Sequence, residues 1–203
     1  MIKKYFLFLY LLISLKIFAS EYDEYFKNNV ICRASWGACV PQGAMDIDLK
    51  KCCFAIHHSA GTSVSNSQTV KNIQCFHMNE NKWSDIGYHF LIGIDGKCFE
   101  GRELKYKGSH ISKGNTGNIG ICFLGCFEST QPNNVIVAQE MVDTCSELIN
   151  VLSKKYKIKI CKEVIKGHKQ HKNAQTLCPG DLVMACLINI INQASGEECV
   201  GTL

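Results

Sequence analysis

The hydrophobic pattern opens with Tyr5 to Leu15, a run of eleven residues that is apolar apart from Ser14, behind Lys3 and Lys4, and Phe18-Ala19-Ser20 then offers small residues for cleavage after Ala19 or Ser20. A basic start, a short apolar run and small residues make the pattern of a secretory signal peptide. The rival is a membrane anchor, but a span takes about 20 apolar residues, and Lys16 interrupts this run. Residues 1–20 are therefore expected to be a signal peptide, and 21–31 a polar N-terminal arm with no clear period. Residues 32–203 are expected to be one folded domain, with no membrane contact once the signal is removed.

Further on, the periods alternate between two and 3.6. Phe54-Ala-Ile-His57 is a short apolar run that predicts a buried strand. Val70, Ile73, Gln74 and His77 fall at helical spacing, so Ser67 to Met78 is predicted helical. Tyr88 to Ile94 and Lys97 to Glu100 flank Asp95-Gly96, a strong hairpin turn. Asn118 to Leu124 is a strand bounded by Gly117 and Gly125. Pro132 is placed to open a helix with the stripe Val137, Met141, Cys145, Leu148 and Leu152. Ile160 to Ile165 is a short strand or extended segment leading into Gly167-His168. Pro179 is placed to start a last helix carrying Leu182, Val183, Cys186, Leu187, Ile190 and Ile191. The order strand, helix, hairpin, strand, helix, helix predicts a single α/β domain with a mixed central sheet flanked by helices.

Composition narrows the classes. The 203 residues are 46% hydrophobic and 20% charged with 3 Pro, which excludes a disordered tail or a collagen-like rod. Without Lys3, Lys4 and Lys16 the net charge falls from +4 to +1, so net charge makes no case for nucleic acid as a partner. All 13 Cys lie after residue 31. An extracellular chain this rich in Cys is expected to be oxidised, and an odd count leaves one Cys over. No Asn-x-Ser/Thr sequon occurs.

Candidate chemistry lies where strands end. Among seven His, His57 ends the first core strand and His168 follows a Gly after an extended segment. Cys178 lies in Thr176-Leu-Cys178-Pro-Gly, ahead of the last helix. Two imidazoles and a thiolate make an open zinc site with a fourth position for water, and holding Cys178 as a ligand would account for the odd cysteine. From spacing alone, core histidines plus disulfides explain the same residues.

The chain also carries a series of motifs in order: Arg33-Ala-Ser-Trp36-Gly; Ala55-Ile-His57-His58-Ser-Ala-Gly61; Trp83-Ser-Asp-Ile-Gly-Tyr88-His-Phe; Asp95-Gly-Lys-Cys-Phe-Glu-Gly-Arg102; Gly108-Ser-His110; Asn118-Ile-Gly-Ile-Cys-Phe-Leu-Gly125; Gly167-His168; and Thr176-Leu-Cys178-Pro-Gly180. Over about Cys32 to Ile191 they resemble the peptidoglycan recognition protein and type 2 N-acetylmuramoyl-L-alanine amidase family. The resemblance implies zinc on His57, His168 and Cys178, with Tyr88 catalytic. Phage members place a Lys two residues before the Cys; Thr176 stands there here, as in many animal amidases, and is the second catalytic candidate. It implies a secreted zinc amidase that cuts the lactyl–L-alanine amide of peptidoglycan. The alternative is a recognition protein that binds muropeptide without turnover, and retention of Cys178 favours the enzyme.

Candidate substrate contacts are His58, His110, Trp83 and Thr116. His110 resembles the family's groove-lining His. Trp83 offers a face for stacking on sugar, or simple packing. His58 alternates away from His57 along a strand. Thr116 stands where members that prefer diaminopimelate-type peptide carry Arg, and it cannot make the bidentate contact. His77 is expected in the helix's packed stripe. The step from His168 to Cys178 is two longer than the family's usual one, which makes His171 a rival ligand. Residues 62–74 hold no Cys, so the family's short-loop disulfide is absent and Cys75 lacks that partner.

Overall fold

A computed structural model describes residues 20–172 and 174–196. Apart from Ser20, the expected signal peptide lies outside the described residues, as does Cys199. Six strands form one mixed sheet: β1 (Val30–Ile31), β2 (Cys53–His58), β3 (Phe90–Ile92), β4 (Cys98–Glu100), β5 (Asn118–Phe123) and β6 (Ile165–Gly167), in the order β1-β4-β3-β5-β2-β6. Only β3 and β4 pair antiparallel, through the Asp95-Gly96 turn, where Gly96 adopts φ +74°. Beside them lie helices α1 (Glu21–Asn29), α2 (Arg33–Trp36), α3 (Ser67–Asn79), α4 (Gln139–Tyr156) and α5 (Asp181–Ser195), and a 3₁₀ turn spans His168–Gln170. No described helix is long and apolar enough to cross a membrane.

Alternation along the strands sorts residues to two faces. Phe54, Ile56, Phe90, Ile92, Ile119, Ile121 and Phe123 face one core with Met141, Cys145, Leu148 and Leu152 of α4 and Val183, Leu187 and Ile190 of α5. Leu91, Phe99, Cys122 and Leu124 face a smaller core with Trp36, Val70 and Ile86. The segment before β2 is tied down by the buried Lys51–Asp48 ion pair; the same Asp48 oxygen accepts the Gly117 N–H at 2.9 Å.

Four expectations change. Residues 21–29 are a helix, capped where the Ser20 hydroxyl accepts the Asp23 N–H and the Asp23 carboxylate accepts the Ser20 N–H. Its Tyr22, Tyr25 and Phe26 pack against the larger core. The fourth helix starts at Gln139 and not at Pro132; the stretch before it is a turn in which the Asn134 amide donates to the Gln131 carbonyl at 2.6 Å. The strand expected over 160–165 is shifted to Ile165–Gly167, because it pairs with Phe54–Ile56 of β2. The disulfide framework is not met: all twelve described cysteines are thiols. Cys98, Cys122, Cys126 and Cys145 are buried, where a thiol packs as a small apolar side chain. Cys52 and Cys53 are adjacent, but their sulfurs stand 3.8 Å apart.

Candidate metal centre

β2 and β6 are parallel neighbours, so their C-terminal ends open on the same edge of the sheet. Sites in such sheets form where strands end and loops begin. His57 is the penultimate residue of β2, and His168 is the first residue after β6. The following loop returns Cys178 beside them, and the Lys169 N–H donates to the Cys178 carbonyl at 2.8 Å.

One donor atom each from His57, His168 and Cys178 lies within 4.8 Å of the others. The Cys178 sulfur is 3.6 Å from His57 Nδ1. Ligands of a tetrahedral zinc, bonded at about 2.0–2.3 Å, sit roughly 3.4–3.8 Å apart, so the cluster needs little closure to hold the ion. Burial holds the His57 imidazole well below its ordinary pKa and also lowers that of His168; both rings are neutral at pH 7. Burial pushes the Cys178 thiol up to about 12, so metal entry must displace its proton. The His58 backbone N–H donates to the sulfur at 3.4 Å, a contact that favours a thiolate. The donor set, the spacing and the two neutral imidazoles fit zinc, and the thiol would bind on losing its proton.

His110 orders the first ligand. His57 Nε2 and His110 Nδ1 are 3.0 Å apart. For His57 Nδ1 to offer its lone pair beside Cys178, the proton must sit on Nε2 and be donated to His110. The His110 turn is held by Asn115, whose Oδ1 accepts the N–H groups of His110 and Ile111, both at 2.8 Å. The ring lies against Gly108 and Gly120, where an added Cβ would come within 2.4 Å and 2.6 Å of it. Both positions require glycine for this close approach.

Tyr88 lies beside the cluster, its ring 5.2 Å from that of His57. Burial raises its phenol well above the usual value, with the Cys122 and Cys178 thiols adding to the effect, so the hydroxyl remains a proton donor. Thr176 lines the same cavity, and its hydroxyl accepts the Cys178 N–H at 3.1 Å. That bond orients the turn carrying the sulfur.

The cavity holds about 590 Å³. His57, His58, Trp83, Tyr88, His110, His168, Thr176 and Cys178 all line it, as does His77. The His58 imidazole turns to the other sheet face, where Nδ1 accepts the Phe127 N–H at 3.2 Å. His110 is only 7% exposed, which suits support of His57 better than broad contact with a substrate. Trp83 packs on His77 at 4.7 Å, and His77 Nδ1 accepts the Gly87 N–H at 3.1 Å. Thr116 is exposed in the turn before β5 and does not line the cavity. Its neighbour Asn115 is occupied in holding His110. His171 stands outside the three-donor cluster.

The sequence reading missed one wall. Thr69, Asn72, Ile73 and Phe76 of α3, with Ala60 to Thr62 before it, line the cavity. Their spacing of three and four marks a second helix face beside the buried stripe of Val70, Gln74 and His77, and Phe76 is 57% exposed on it.

Comparison with known proteins places this geometry in context. Residues 53–181 match the family model described as N-acetylmuramoyl-L-alanine amidase. The peptidoglycan-recognition protein SD of Drosophila simulans is 35% identical over 163 residues, covering 78% of this chain and 83% of that protein. The crystal structure of Drosophila peptidoglycan recognition protein SD superposes with a TM-score of 0.67 at 33% identity, covering 81% of this chain and 93% of that one. Peptidoglycan recognition protein-LE in complex with tracheal cytotoxin, a monomeric diaminopimelic acid-type peptidoglycan, gives 0.66 at 27% identity over 75% of this chain and 88% of that one.

Proposed function

The chain belongs to the N-acetylmuramoyl-L-alanine amidase family that includes the peptidoglycan recognition proteins, and from that premise we propose that it is a secreted zinc amidase acting on peptidoglycan. The observation that carries the reading is the His57, His168 and Cys178 cluster at the floor of the cavity. The bond cut is the amide between the lactyl group of muramic acid and L-alanine, which frees the stem peptide from the glycan.

Zinc, when bound to these three residues, supplies a Lewis acid and lowers the pKa of a water towards about 7. The chain's own residues do the rest. His57 and His168 bind as neutral imidazoles and Cys178 as a thiolate. His110 holds the proton of His57 on the far nitrogen. The His58 amide supports the thiolate charge. Tyr88, kept protonated by burial, donates to the oxygen that gains charge as the carbonyl is attacked. Thr176 fixes the turn before Cys178. Ile73, Phe76 and Trp83 in the cavity lining give the glycopeptide an apolar surface to lie on.

A binding-only role is the second reading, favoured by the relatives named as recognition proteins. It leaves the Cys178 sulfur, tied to the His58 amide, without a purpose. Release of stem peptide from purified peptidoglycan decides between them. The amidase reading expects release that a chelator stops and zinc restores; tight binding with no release would establish the recognition reading instead.

A further inference from the structure

The modest net charge conceals a strong asymmetry. Residues 154–172 hold eight lysines and a single acid, Glu163, while all other residues from 21 onward hold 11 Lys and Arg against 17 Asp and Glu. All eight lysines are exposed except half-buried Lys166. Lys154 is paired with Glu21, and Lys155 lies 4.0 Å over the Tyr22 ring. Lys157, Lys159, Lys162, Lys166, Lys169 and Lys172 have no ion pair within 4 Å among the described residues. Six like charges without an ion pair repel one another, which disfavours the compact state.

Their placement has a direction. The stretch leaves the C-terminal end of α4, follows the loop to β6 and rises along β6, an edge strand of the sheet. It continues through the turn after His168, where the Lys169 backbone meets Cys178. The lysines are therefore carried on a segment that follows the sheet edge and reaches the cavity at His168, one of its lining residues.

We propose that this lysine stripe is a docking surface for a linear phosphodiester polymer carried covalently by the peptidoglycan itself. The proposal rests on the peptidoglycan reading of the cavity. A repeating anion matches a row of point charges. Because the segment reaches the cavity, glycopeptide and polymer on one wall can be held together, and joined contacts multiply affinity. The chemistry favours this occupant over single-stranded nucleic acid, which needs exposed aromatic faces for its bases; the only Phe, Tyr or Trp between 154 and 172 is Tyr156, and it is half-buried, as are His168 and His171.

The test compares binding of the intact protein to sacculi bearing a polyol-phosphate polymer and to the same sacculi stripped of it by acid. The variant is Lys157→Glu, Lys159→Glu and Lys162→Glu together, remote from the metal ligands. At 50 mM salt the wild type should bind the polymer-bearing sacculi at least tenfold more tightly than the stripped ones. Six contacts to a single-stranded polyanion predict a fall of about 10²-fold or more between 50 and 200 mM salt. The triple variant should lose the preference and keep its binding to stripped sacculi. Equal binding to both sacculi would overturn the proposal and leave the peptidoglycan reading standing. Binding to neither would overturn both. Competition by single-stranded DNA as strong, per phosphate, as that by the released polymer would overturn the assignment to the wall.

Discussion

The two faces of the central sheet are built from the same strands and behave differently. On one, Phe54, Ile56 and Ile121 are sealed under α4 and α5. On the other, α2 and α3 cover only part of the surface, over Leu91, Phe99 and Cys122, and the uncovered part is the cavity. Neighbours one residue apart on β2 divide between these fates. Ile56 joins the sealed core, His57 turns to the metal cluster, and His58 turns back towards Phe127. The open face also concentrates the buried polar groups: His57, His77, His89 and His110 all hydrogen-bond there. Stability resides on the sealed face and chemistry on the open one. A site of neutral imidazoles is possible because burial disfavours their charged forms, and the bond to His110 orients the His57 ring.

That contrast can be broken at chosen points, beginning with the largest effect. Cys178→Ser removes a ligand on the open face, so stem-peptide release should fall by about 10³-fold or more, with the far-UV spectrum unchanged; retained turnover would remove Cys178 from the centre. Tyr88→Phe should slow the same assay by roughly 10²–10³-fold if the hydroxyl donates to the oxyanion, while zinc content stays constant. His110→Asn should weaken zinc by about 10–100-fold, read by competition with a chelating dye. An unchanged affinity would reduce His110 to a cavity-lining residue.

The smallest effect is a pH slope. Burial, with the Arg102 charge assisting, lowers His77 to about 4. Between about pH 6.5 and 4 the unfolded chain takes up a proton there and the folded chain does not, so stability falls as pH falls through that window. Over the whole window the contribution is about 3 kcal/mol, on the order of 1 kcal/mol per pH unit. Unfolding midpoints measured across this range should show a shallower slope in His77→Asn, which keeps an acceptor for the Gly87 N–H.

Much of this was legible in residue patterns. A short apolar run located β2, the stretch between Gly117 and Gly125 located β5, the 3.6 period located α3, and Asp95-Gly96 located the hairpin. The N-terminal helix was not read, although Ser20-x-x-Asp23 and the spacing of Tyr22, Tyr25 and Phe26 carry its signature; three acids among them made the segment look like solvated arm. Pro132 misplaced the start of α4 because a proline suited to a first helical turn is equally suited to the loop before it. Convergence of His57, His168 and Cys178 came from matching motifs, since spacing alone cannot report that β2 and β6 are neighbours. The His57–His110 contact and the α3 wall were beyond such reading. Both arise from tertiary placement, one through two glycines that let a ring approach the backbone. Cysteine count was misleading for a physical reason: counting presumes pairs, whereas four of these thiols are buried as apolar side chains.

The central claim is that three side chains from distant segments form one zinc site. Elemental analysis of the purified protein tests it most directly. The account predicts about one zinc per chain, lost on treatment with a strong chelator and absent from Cys178→Ser. A wild-type protein that carries no zinc, and takes none up when the metal is supplied, would contradict it.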